Sequence, residues 1–166
     1  MKKWTVKKIL KEIILTLLIL FVVSMVLNYI RQPKVDDQLH DQHFRLIDGS
    51  SITLRQEGKP TVIHFWATWC PTCKLEAPNI ERLLGDEVHL VTVAVNSGDS
   101  QKLQQFMKQE GYHYPVVNDQ QGKLAKAFDV EAFPTTFIYD SRGKLRFSEV
   151  GYSTTLGLKA RLELIK

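Results

Sequence analysis

Cys70 and Cys73 are the only two cysteines of the chain, and they stand as Cys70-Pro71-Thr72-Cys73 where a run of β-branched and aromatic residues gives way to helical spacing. Two thiols three positions apart support three kinds of chemistry. They can shuttle between dithiol and disulfide, ligate a soft ion such as zinc or Cu(I), or form a fixed bridge. Disulfide exchange needs a thiolate, which an ordinary cysteine with a pKa of about 8.5 supplies only sparingly at neutral pH. A helix N-terminus stabilises that anion through its unpaired N–H groups and the positive end of its dipole. The position predicts Cys70 as an exposed nucleophile and Cys73, about one turn on, as the more buried resolving thiol. A fixed bridge across so short a loop would contribute only roughly 2 kcal/mol. A metal site would lack a second cysteine pair, and His40, His43, His64, His89 and His113 show no ligand-like spacing with this one. No metal and no cofactor other than a redox-active Cys70–Cys73 disulfide is therefore expected.

The elements that must position the pair are legible around it. Residues 61–66 (TVIHFW) suit a buried central strand, and residues 71–84 have helical spacing. Upstream, residues 44–47 and 51–54 read as a β-hairpin turning through Asp48-Gly49. Downstream, a second buried strand covers 88–95, and a helix over 100–110 is closed by Gly111. A short helix over 123–128 follows, then strands over 135–139 and 145–150 with Arg142-Gly143 between them, and a last helix from 154 to 165. The alternation implies an α/β sandwich with a mixed sheet.

Charge divides unevenly. Residues 1–35 hold seven Lys/Arg and one Glu, a net +6, whereas residues 36–166 hold fifteen Lys/Arg and seventeen Asp/Glu, a net −2. The globular part has no basic footprint for a phosphate backbone, so no nucleic-acid partner is expected. Residues 13–30 carry no formal charge and nearly match a hydrocarbon core of about 30 Å at about 1.5 Å per residue. They read as a transmembrane anchor, with a cleaved signal peptide as the alternative. Lys2, Lys3, Lys7, Lys8 and Lys11 precede the run, which places a cytoplasmic basic segment at 1–12 and the rest of the chain outside. A polar linker is expected at 31–42 and the domain at 43–166.

Trp66-Ala67-Thr68-Trp69-Cys70-Pro71-Thr72-Cys73-Lys74, with Pro78 five residues beyond Cys73, resembles the active-site helix of the thioredoxin superfamily. The anchor, the hairpin and Glu76 resemble more specifically the membrane-tethered TlpA/ResA/DsbE type, with the suppressor-of-copper-sensitivity thioredoxin-like group the closest likeness. This resemblance implies a thioredoxin fold with an N-terminal hairpin extension. It implies a cis-proline at Pro134 facing the cysteines, with Phe133 and Pro134 pairing with the substrate chain as an added strand. Trp69, Pro71 and Thr72 would line the substrate site, and Glu76 would take the proton that Cys73 must lose. His64 stands where thioredoxin keeps a buried Asp; it points inward as a core histidine or assists proton movement. The activity implied is thiol-disulfide exchange on extracytoplasmic protein thiols and disulfides, as reductant or isomerase, at the bacterial inner membrane. A transmembrane electron donor of the DsbD type would keep the pair reduced. Two further readings stay open, a Cu(I) chaperone using the same thiolates and, ranking last, a peroxidase.

Overall fold

The computed structural model describes residues 6–30, 33, 35–85 and 87–165. The chain divides into two units, Met1–Gln32 and Pro33–Lys166. In the first, helix α1 (Val6–Ile30) exposes every apolar side chain described, from Ile9 at 42% to Phe21 at 67%. Among the described residues no helix is long and apolar enough to cross a membrane. The expected span 13–30 includes side chains at 24 and 27–30 that lie outside the described residues, as do residues 1–5 of the basic segment.

The second unit is built on a five-stranded sheet of order β5-β4-β3-β6-β7. Its centre is β3 (Thr61–Trp66), buried at all six positions because strands cover it on both sides and helices or the hairpin cover both faces. β4 (His89–Val95) and β5 (Val116–Asp119) run parallel to it, while β6 (Thr135–Tyr139) and β7 (Leu145–Val150) form an antiparallel hairpin in which β6 pairs antiparallel with β3. Alternation along β3 divides the core. Val62 and Trp66 pack with Ile80 of α2 (Pro71–Glu81), Leu103 of α3 (Ser100–Glu110) and Leu158 of α5 (Thr155–Glu163). Ile63 and Phe65 face Leu124 of α4 (Lys123–Ala127) and the N-terminal hairpin.

The mixed sheet and thioredoxin-like α/β architecture agree with expectation, and four details differ. β5 has no counterpart among the expected strands: Val116-Val117 is followed at once by Asn118-Asp119, and only pairing with β4 makes this run a strand. The N-terminal hairpin is shorter than predicted, with β1 (His43–Arg45) against β2 (Ser51–Thr53). Leu46 and Ile47 leave it to pair with Val117 and Val116, so the hairpin covers the outer edge of β5, an edge that would otherwise be open to pairing with other chains. The expected linker 31–42 is docked in its second half. Leu39 is 4% exposed and its N–H donates to Gly143 O at 2.8 Å, while Leu145 N–H donates to Asp37 O at 2.7 Å. Burying one leucine contributes about 2 kcal/mol, enough to hold a short polar segment down. α2 also ends at Glu81, not residue 84, because the chain tightens into i, i+3 bonds from Leu83 N–H to Ile80 O and from Leu84 N–H to Glu81 O.

Candidate active site

Cys70 and Cys73 are joined in a disulfide, with Cα atoms 5.3 Å apart. Cys70 is the N-cap of α2: its backbone is extended, Pro71 follows at the first helical position, and its Sγ accepts the Cys73 N–H at 3.1 Å. Pro71 suits that place because its ring fixes φ and its missing N–H would have no helical partner. The sulfur that must become a thiolate thus already accepts a bond from an end-of-helix amide. Cys70 is 5% exposed and Cys73 2%. The expected exposed nucleophile is therefore covered in the disulfide state, and the two cysteines differ little in burial.

The loop before Cys70 is held from the turn that follows β4. The Ser97 hydroxyl accepts Thr68 N–H at 3.0 Å and donates to Val95 O at 2.9 Å, and the Trp69 indole N–H donates to Asn96 O at 3.2 Å. Trp69 is 58% exposed and meets the Phe133 ring edge to face at 5.6 Å. The Phe133–Pro134 peptide is cis. Phe133 O lies 3.6 Å from Cys70 Sγ, a separation at which a reduced Cys70 could donate an S–H bond to it. Pro71 and Thr72, within and beside the pair, are exposed, and Pro134, next to Phe133, is buried. The structure thus brings Trp69, Cys70, Cys73, Phe133 and Pro134 to one place, where an extended chain bearing a disulfide could lie along the Phe133 backbone.

Residues 30–148 match the AhpC/TSA family. The chain belongs to that thioredoxin-like family. Among its relatives, a thioredoxin-like protein of Haemophilus influenzae is 30% identical over 159 residues, 95% of each chain. The thiol-disulfide oxidoreductase ResA of Bacillus subtilis is 35% identical over 135 residues, 77% of this chain and 71% of that protein. The crystal structure of StoA from Bacillus subtilis superposes with a TM-score of 0.67 at 29% identity, covering 76% of this chain and 98% of that one. With the Cys70–Cys73 disulfide in place, this AhpC/TSA member is a thioredoxin-like protein disulfide oxidoreductase.

Glu76 and His64 are among the buried ionisable groups of this family member's domain. Glu76, one turn beyond Cys73, is fully buried: Oε1 accepts Ser153 N–H at 3.1 Å, and Oε2 has no hydrogen-bond partner among the described residues. Burial pushes its carboxyl up to about 8, against a smaller lowering by the Ser153 N–H. His64 is 2% exposed with Nδ1 2.9 Å from the Thr136 hydroxyl, and burial pushes it down to about 3, so the ring is neutral. It is a core histidine satisfied by its neighbour on β6. Sequence reasoning missed Ser97, Asn96 and Asn79. A serine in a turn and an asparagine on a helix are ordinary there, and only the fold turns them toward the site.

Proposed function

We propose that this chain catalyses thiol-disulfide exchange on protein thiols and disulfides outside the cytoplasm, as a reductant or isomerase, tethered to the bacterial inner membrane by α1. The observation that carries this reading is the Cys70–Cys73 disulfide at the N-terminus of α2 beside the cis Phe133–Pro134 peptide. In the reducing direction the Cys70 thiolate attacks one sulfur of a partner disulfide, and the partner's other sulfur leaves as a thiolate that takes up a proton. Glu76 accepts the Cys73 proton; Cys73 then attacks Cys70 Sγ, the mixed disulfide breaks, and the second partner sulfur leaves. Two electrons pass to the partner and the pair ends oxidised. A transmembrane donor of the DsbD type would return those electrons. Trp69, Pro71, Thr72, Phe133 and Pro134 form the substrate face, with the Phe133 backbone available to an extended segment.

The tether is supported by α1, whose described apolar side chains are all exposed, a surface unfit for water and suited to hydrocarbon. Lysines before the run favour a cytoplasmic N-terminus and an extracytoplasmic domain. The direction of electron flow is tested by equilibrating the protein with glutathione buffers. A reductant gives E°′ near the thioredoxin value of about −270 mV, and an oxidant gives one near about −120 mV. Inert exchange together with tight stoichiometric Cu(I) binding would instead support the copper-chaperone reading.

A further inference from the structure

The segment of residues 151–155, the loop after β7 together with the first residue of α5, touches three parts of the site. Gly151 N–H donates to Pro134 O at 2.8 Å, and Gly151 has φ +98°, a conformation that side-chain-bearing residues rarely adopt. Two residues on, Ser153 N–H holds Glu76 Oε1. The third contact is Asn79, buried on α2 three residues after Glu76. Its Nδ2 donates to the Tyr152 hydroxyl and to Ser153 O, each at 3.0 Å. Its Oδ1 accepts from the Thr155 hydroxyl at 2.9 Å and from Arg82 Nη1 at 3.3 Å. Every hydrogen-bonding position of the amide is used. Two of the four bonds go to the loop that carries the Ser153 N–H, and a third goes to Thr155, the first residue of α5.

A carboxyl group whose Oε1 is fixed by a backbone donor and whose Oε2 is unpartnered among the described residues takes its proton on Oε2. The donor is only as well placed as its loop, and on the α2 side that loop is fastened by Asn79. We propose that Asn79 is a positioning residue for exchange: by fastening the 151–155 segment to α2 it keeps Ser153 N–H on Glu76 Oε1, leaving Oε2 to take the proton from Cys73. This rests on the reading of Glu76 as proton acceptor. The step balances: the Cys73 S–H bond breaks, an O–H bond forms on Oε2, and the thiolate's electron pair forms the new S–S bond as the partner thiolate departs. The titratable or charged groups on this side of the sheet include Cys73 of α2, His64 of β3, Tyr152 and Arg82 through Asn79, and the Glu149–Arg161 ion pair between β7 and α5. No charged side chain is among the causes of the Glu76 shift.

The test uses the reduced full chain in detergent micelles, following closure of the Cys70–Cys73 disulfide against oxidised glutathione from pH 5 to 10. Wild type is expected to show an inflection near the Glu76 value of about 8, and Glu76→Gln to lose it. In Asn79→Ala the loop lifts and water reaches Glu76. Because burial is the larger cause of its shift, the inflection should move toward acid by at least about one pH unit. The double variant Asn79→Ala/Glu76→Gln should reproduce the profile of Glu76→Gln alone, an outcome that general loosening of the fold would not give. Thr155→Val, which removes one of the four bonds, should shift the inflection the same way by less and serves if Asn79→Ala does not fold. An unmoved inflection in both Asn79→Ala and Thr155→Val overturns the proposal. So does an Asn79→Ala effect of equal size with and without Glu76. If Glu76→Gln itself keeps the inflection, the proton-acceptor reading has failed first.

Discussion

Glu76→Gln should change the slope of stability against pH, not only its level. The folded chain holds the carboxyl near 8 whereas the unfolded chain returns it to about 4.5. Between those values the folded state keeps a proton that the unfolded state has released. Stability attributable to Glu76 is therefore fully present below the unfolded value and is lost as pH rises through the folded one. At about 1.36 kcal/mol per pH unit, an interval of roughly 3.5 units bounds the loss at about 5 kcal/mol. Relaxation of the 151–155 segment and entry of water reduce this to a few kcal/mol. The glutamine side chain can still accept the Ser153 N–H, but its NH2 has no evident partner, a constant cost of about 1–3 kcal/mol. The Glu76→Gln variant should thus be equal to wild type or less stable at pH 5, and more stable at pH 9. Urea unfolding of the oxidised unit 33–166 at pH 5, 7 and 9 measures this directly. A difference between variant and wild type that stays constant across those three pH values would refute the argument.

Three further outcomes follow from other parts of the domain. His64 works in the opposite sense. Its folded value is pushed down to about 3, so the stability it contributes is present above the unfolded value near 6.5 and lost as pH falls toward 3. His64→Gln should flatten the acid limb of the same unfolding series, and an unchanged acid limb would count against a neutral buried ring. Leu39→Ala should destabilise the 33–166 unit by about 2 kcal/mol in urea unfolding, because the residue is core and not tether; a change under about 0.5 kcal/mol would mean the docking of Asp37 and Leu39 contributes little. Removal of residues 1–32 should move the protein from the membrane pellet to the soluble fraction, and retention in the pellet would contradict anchoring by α1.

Most of the site is legible in the sequence because its chemistry depends on side chains in a local pattern. Cys70, Pro71 and Cys73 are fixed by the strand-to-helix junction, whereas Pro134 is reached only through the resemblance to the thioredoxin superfamily. The parts that are not legible depend on long-range pairing. β5 owes its conformation to β4, since half of its four residues are Asn and Asp. Leu39 is a lone apolar residue in a polar stretch, and nothing local distinguishes it from a linker leucine until Gly143 and Leu145 are brought alongside. The donor to Glu76 is a backbone N–H 77 positions away, which has no side-chain signature. The exposure expected of Cys70 also fails for a tertiary reason. Its N-cap position follows from the local pattern, but Phe133 O stands against the sulfur and Trp69 lies beside it over the Phe133 ring.

The central claim is that Cys70 attacks and Cys73 resolves. It is tested most directly by trapping mixed disulfides in cells with single-cysteine variants. Cys73→Ala should accumulate reducible adducts with extracytoplasmic proteins, linked through Cys70, and Cys70→Ala should accumulate none. Adducts formed by Cys70→Ala, or none formed by either variant, would contradict the account.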